Sequence, residues 1–234
     1  MRLSSVLMVS FVATLPVLAQ EVGGISSSTL SRCAGKAGIE VRRSDAAFGI
    51  LALDGVPWAT IERTDSTVGT QPITTTVTST GGLLRRNGTL VPFRFTCVLD
   101  ADGQALMFHA SQLMLRLGDE LPPSIVIEGS ATYLEEGSLP RGIELQVQLL
   151  DTSRDPAGEI LAEQVVRSGW SRPIPFALRL PKNTSLEARK IAITARFVLA
   201  HKVLFQLKEP RAIASDDFGK SIDLTLDKVA PGKH

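Results

Sequence analysis

The stretch from Val147 to Leu180, VQLLDTSRDPAGEILAEQVVRSGWSRPIPFALRL, restricts the fold more than any other part of the chain. Its apolar runs, Val147–Leu150, Ile160–Val166 and Ile174–Leu180, are short, and turns rich in Asp, Pro, Gly and Ser separate them. Runs of this length between turn signals read as strands. The same reading extends on both sides. Seven strands are expected, over Ile125–Tyr133, Ile143–Leu150, Ile160–Val166, Ile174–Leu180, Ile191–Leu199, Val203–Leu207 and Ser221–Leu226. Leu145, Val147 and Leu149 face one way and Glu144, Gln146 and Gln148 the other. Ile174, Phe176, Leu178 and Leu180 form a second inward row, and Ile191, Ile193, Ala195, Phe197 and Leu199 a third. Seven short alternating strands match the count of an immunoglobulin-like β-sandwich. With aromatics at 5%, its core has to rest on Leu, Ile, Val and Ala.

The first half reads differently. Ser28 or Thr29 can cap a short helix over Leu30–Ala37, ended by Gly38. Phe48–Leu53, the Asp54-Gly55 turn and Val56–Arg63 read as a hairpin. Ile73–Val77 suits an exposed strand, and Arg85-Arg86-Asn87-Gly88 a basic turn. Leu90–Cys97 then alternates, with Phe93, Phe95 and Cys97 on one face and Arg94 and Thr96 on the other, and the Asp100–Gly103 turn returns the chain along Ala105–His109. The expected layout is a leader at 1–19, a small α+β domain at 20–111, a linker at 112–123 marked by Gly118 and Pro122-Pro123, the sandwich at 124–228 and a flexible tail at 229–234.

Residues 1–19 have the plan of a secretory signal. Arg2 supplies the basic start, Val6–Leu18 the apolar stretch, and Val17-Leu18-Ala19 the small residues before a cut at Gln20. No cysteine lies near that cut, so a soluble periplasmic or secreted product without a lipid anchor is expected. Cys33 and Cys97 are the two cysteines. In an oxidising compartment they predict a disulfide closing a loop of about 64 residues, worth about 4 kcal/mol in the chain-entropy model; two buried free thiols are the alternative. A formal charge of +1 gives no reason to expect nucleic acid or anionic lipid as a partner.

Ile127-Glu-Gly-Ser-Ala-Thr-Tyr133, Leu139-Pro140 and Leu145-Gln-Val-Gln-Leu-Leu-Asp-Thr-Ser-Arg154 resemble the YbaY-type envelope lipoproteins, a family that includes the YscW-type pilot chaperones of type III secretion. Ile160–Gln164, Pro173–Phe176 and Ala195–Phe197 extend the likeness, which spans about residues 124–228. The resemblance implies a β-sandwich in the bacterial envelope and, through the pilot members, assistance to an outer-membrane secretin. It nominates no catalytic residue. Ala200-His201-Lys202 departs from the tight turn usual in relatives, and residues 20–111 are not covered.

No catalytic, metal or cofactor constellation stands out. Asp151, Arg154 and Asp155 read as turn residues, with Arg154 as the partner of Asp151, and no nucleophile accompanies His109 or His201. A hydrolase would need Arg94, His109 and an acidic side chain in one pocket. Asn87-Gly-Thr89 and Asn183-Thr-Ser185 fit the glycosylation pattern but read as turns. Trp170 is the candidate binding anchor if exposed, and a plug on the sandwich edge if not. The edge strands of the sandwich offer a second mode, pairing with a strand of a partner. The leading expectation is a non-enzymatic protein, without cofactor, that binds or chaperones another envelope protein, such as a secretin or other outer-membrane component. The alternative is a glycan-binding accessory of wall or polysaccharide metabolism, using Trp58, Tyr133 and Trp170.

Overall fold

The structure, a computed structural model, describes residues 27–45, 47–113, 123–135, 140, 142–168 and 172–229. The expected leader and its cut lie outside these residues, as do most of 112–123 and the end of the tail. One helix, α1 (Ser27–Ser44), precedes β1 (Phe48–Asp54), β2 (Thr60–Val68), β3 (Gln71–Arg85), β4 (Leu90–Leu99) and β5 (Ala105–Gln112). The second half holds β6 (Ser124–Tyr133), β7 (Glu144–Asp151), β8 (Glu159–Ser168), β9 (Ile174–Pro181), β10 (Ile191–Leu199), β11 (Lys202–Gln206), β12 (Arg211–Ile213) and β13 (Ile222–Lys228).

All seven strands expected of the sandwich are present, as β6 to β11 and β13, and the three-residue β12 adds a short rung on β10. They form two layers. In one, β8, β7, β10 and β11 are neighbours; in the other, β9, β6 and β13. The inward rows read from the sequence meet between them: Leu145, Val147 and Leu149 of β7, Ile174, Phe176, Leu178 and Leu180 of β9, and Ile191, Ile193 and Phe197 of β10. Burial on both inner faces is what holds such layers together. Tyr133, Phe197 and Phe205 pack ring against ring at one end, with centroids 4.6–6.3 Å apart.

The first half extends the larger layer. β1 pairs with β8 on one side and β3 on the other, and β4 and β5 follow outward, so the sheet order runs β5-β4-β3-β1-β8-β7. This sheet curls around α1. Ser31 accepts from Gln146 of β7 at 2.7 Å, while Cys33, two residues on, is disulfide-bonded to Cys97 of β4 with a Cα separation of 5.9 Å. Strands four places apart in the order reach one helical turn only if the sheet bends about the helix. The expected disulfide therefore staples the helix into that trough. Leu30, Cys33, Ala34 and Ala37 of α1 pack on Leu51, Leu53, Phe93, Phe95, Cys97 and Val165 as a second apolar core. The polar row of β7 is covered too, since Glu144 and Gln146 lie under the helix and are buried.

Three local expectations are corrected. The helix does not end at Gly38 but runs on to Ser44. Gly35 and Gly38 make room for a side chain that crosses the helix: a Cβ at Gly38 would lie 3.1 Å from Cδ of Arg167, and one at Gly35 3.2 Å from its Nη1. Close approach, not helix termination, explains these glycines. Nor do β1 and β2 form a hairpin. Both pair with the long β3, β1 along Gly81–Arg85 and β2 along Gln71–Thr78. At Gly55 the chain stays on β8, its N–H donating to Glu163 O at 2.8 Å and the Glu163 N–H to Val56 O at 2.8 Å. Asp54 is no turn tip because its carboxylate is buried and bonded. Ile73 and Val77, expected on an exposed strand, point into the trough and are buried.

Candidate functional site

Because α1 fills one face of β1, β3 and β4 while the β9-β6-β13 layer covers only the sandwich half of the other, the sheet leaves a step. Its floor is the face of β1, β3 and β4 opposite the helix, where Ile50, Ala52, Leu84 and Pro92 are half-buried and Leu90 is 63% exposed. Its wall is the flank of β9, with Pro175, Phe176 and Ala177, and Glu128 of β6 at the rim. The concavity holds about 370 Å³. Leu90 carries the exposed apolar surface here, and grouped exposed apolar side chains mark binding surfaces. Gly82 lies on the floor between Ala52 and Pro92 and puts no side chain into the concavity.

Polar groups close the seam beneath the step. Asp54, 5% exposed, ends β1. Its Oδ2 accepts from Thr80 Oγ1 at 2.7 Å, its Oδ1 from Gln164 Nε2 at 2.9 Å, and Arg179 Nη1 stands 3.5 Å from Oδ2. Burial raises the Asp54 pKa, against which these donors and the Arg179 charge pull it down. Gln164 acts as a rung between the layers. Its side-chain oxygen accepts from the Ala177 N–H at 2.9 Å and its amide donates to the Ala177 C=O at 3.0 Å. Trp58 Nε1 donates to Arg179 O at 2.8 Å, with the Arg179 guanidinium 4.9 Å from its ring centroid.

Together these contacts block the free edge of β9. Ala177 turns its backbone toward Gln164, so the alternate residues Pro175, Arg179 and Pro181 face the same way. The two prolines have no N–H to give, the Ala177 groups are bound, and the Arg179 carbonyl is taken. The strand-pairing mode expected at a sandwich edge finds no free ladder on β9.

A second buried carboxylate lies across the sheet, under the start of α1. Glu163 Oε1 accepts from Ser27 Oγ and from Gln148 Nε2 at 2.9 Å, while Oε2 has no partner among the described residues and sits against Gly55. Desolvation raises the Glu163 pKa, and the Ser27 and Gln148 donors lower it. Glu144, 3.4 Å from Arg167 Nη1, is raised by burial as well.

Trp170 falls outside the described residues. Tyr133 is buried, and Trp58 is half-buried with its N–H bonded, so neither presents an open ring. Arg94 and His109 share the open face of the first-half sheet, in register with Ser111 and Thr96, on a surface and not in a pocket. His201 occupies the β10–β11 turn, where Ala200 and His201 both have positive φ, 47° and 66°. This is the departure from the usual turn, accommodated in left-handed backbone. Asp151 does cap its turn, accepting from the Ser153 N–H at 2.9 Å; Arg189 is its ion-pair partner at 3.3 Å, with the Arg154 charge a weaker contributor. The sequence reading missed Asp54, Gln164 and Arg179. A Gln inside the β-branched run of β8 was the available signal, and the partners of a buried amide cannot be read from spacing.

No described helix is long and apolar enough to cross a membrane. Residues 122–226, a little under half of the 234-residue chain, match the family model of the type III secretion system lipoprotein chaperones (YscW). The matched segment is the sandwich, β6 to β13. A solved structure, an alternative pilotin from the type II secretion system of Vibrio cholerae, is similar at 21% identity over 47% of this chain and all of that one, with a TM-score of 0.42. No curated protein matches.

Proposed function

We propose that this chain is an exported, non-enzymatic protein that binds and escorts another envelope component, in the manner of a pilot for a secretin. One observation carries the reading: residues 122–226, nearly all of the sandwich, match the lipoprotein chaperones of type III secretion. The apolar step supports it, since a chaperone shields apolar surface of its client and Leu90 leaves such surface uncovered. Export is consistent with the buried Cys33–Cys97 disulfide, which belongs to an oxidising compartment. The glycan-binding alternative needs open aromatic faces, and Trp58 and Tyr133 do not supply them.

Crosslinking in the periplasm followed by recovery of the full chain tests the reading. A secretin or other outer-membrane protein should be recovered, and Leu90→Asp, a surface change that spares the core, should reduce its yield. Recovery of no envelope protein from cells that express the chain would overturn the proposal.

A further inference from the structure

The edges of the sheets are not treated alike. That of β9 is blocked by two prolines, a glutamine and an indole, as described above. β2 carries Glu62, Arg63 and Asp65 and has a register break between Arg63 and Ser66, both common ways of discouraging strand addition. β5, AlaLeuMetPheHisAlaSerGln over residues 105–112, has neither proline nor carboxylate nor lysine or arginine. It ends the sheet order, paired only with β4. Leu113 N–H donates to Pro92 O at 3.0 Å, so the alternation turns the N–H and C=O of Phe108, Ala110 and Gln112 away from β4. None of these groups has a partner among the described residues. Among the described residues the outer ladder of this eight-residue strand is unpaired, with Ala110 and Gln112 exposed and Phe108 buried.

The helix decides what can lie on it. α1 packs against β5. Its buried residues Leu30, Cys33, Ala34 and Ala37 fix the sheet-facing side, and Ser31 and Gly38 lean toward β7 and β8. At 100° per residue the opposite flank carries Arg32, Lys36, Glu40 and Arg43. Arg32 confirms which strand that flank borders, since its Nη1 donates to Asp102 O in the β4–β5 turn at 2.7 Å. Lys36 and Arg43 both reach Glu40, at 3.5 and 3.6 Å, leaving the flank with an excess of positive charge. A second copy of this chain, added antiparallel about a twofold axis normal to the sheet, would set two such flanks side by side. Like charges disfavour that arrangement.

We propose that the outer edge of β5, with the basic flank of α1 above it, is a docking site for an extended acidic segment of a partner protein. The segment adds as a strand, its backbone completing the ladder at Phe108, Ala110 and Gln112. Alternate side chains, carboxylates among them, run along Arg32, Lys36 and Arg43. The site deepens the escort function and rests on it, because it specifies how one part of a client is held. It lies in the half of the chain that the family match does not cover.

The test uses the disulfide-intact full chain and two end-blocked nine-residue probe peptides, one alternating Val with Glu and one alternating Val with Lys. Amide exchange should slow about tenfold at Phe108, Ala110 and Gln112 with the Glu peptide, and not with the Lys peptide. Ala110→Pro, at an exposed edge position, should abolish the protection. Should that variant unfold, Lys36→Glu with Arg43→Glu, which leaves β5 intact, should weaken binding about tenfold. Equal binding of both peptides, protection at β2 or no protection at β5 would overturn the inference, as would self-association of the free chain that protects the same amides. Failure here with continued crosslinking to an envelope protein would refute the β5 site and leave the escort function standing.

Discussion

Three buried carboxyl groups, Asp54, Glu144 and Glu163, share one physical situation: burial raises each pKa. A raised pKa means that the folded state binds the proton more tightly than the unfolded chain does. The stability this contributes is complete below the unfolded value, 4.5 for Glu163, and is lost as pH rises through the folded value. Unfolding free energy is therefore expected to decline as pH climbs from the unfolded value through the folded one. In Glu163→Gln, measured by denaturant titration across pH, the decline should be shallower than in the wild type. Overlapping profiles would show that Glu163 does not titrate there. None of this was legible in the sequence, where Glu163 is an unremarkable polar residue between Ala162 and Gln164. Burial of a charged side chain depends on what covers it, and α1 comes from more than a hundred residues away.

Among the elements, the seam between β8 and β9 and the trough around α1 carry the most consequence. Gln164 bonds both the N–H and the C=O of Ala177 and also Asp54. Gln164→Leu keeps the volume and strands those buried groups. It should cost about 3 kcal/mol in chemical denaturation, with faster exchange at the Ala177 amide. A loss below about 1 kcal/mol would mean that water replaces the rung. The disulfide pins α1 to β4 across a sequence separation of 64. Replacing both cysteines by alanine should lower stability by about 4 kcal/mol on the loop-entropy account, and exchange in α1 should rise before exchange in β7 and β10. The strands themselves were readable from alternation. The helix length and the β1–β2 connection were not, because Gly38 and Asp54-Gly55 serve packing against β8 where local chemistry suggests a stop and a turn.

At the scale of the molecule, the two apolar cores lie on opposite faces of one sheet, joined where β1 pairs with β8 from Ile50–Ser168 to Asp54–Gln164. Because β1 and β8 join them in one sheet, we propose that the parts expected as separate domains, 20–111 and 124–228, unfold together. Calorimetry of the intact chain should give one transition whose van't Hoff and calorimetric enthalpies agree; two resolved transitions would show independent halves. Sequence patterning sufficed for the seven long strands of the sandwich and its inward rows, for the Cys33–Cys97 pairing, and for the likeness of about residues 124–228 to secretion chaperones. These follow from period-two patterning, from residue inventory and from motif order, which are local properties of the chain. Tertiary contacts account for the rest: the first half continues the sandwich sheet and curls about α1, β9 is sealed while β5 is unpaired at its outer edge among the described residues, and an apolar step borders the seam. Each of these depends on which strands become neighbours. That choice is set by long-range burial and hydrogen bonding, and no window of sequence contains both partners.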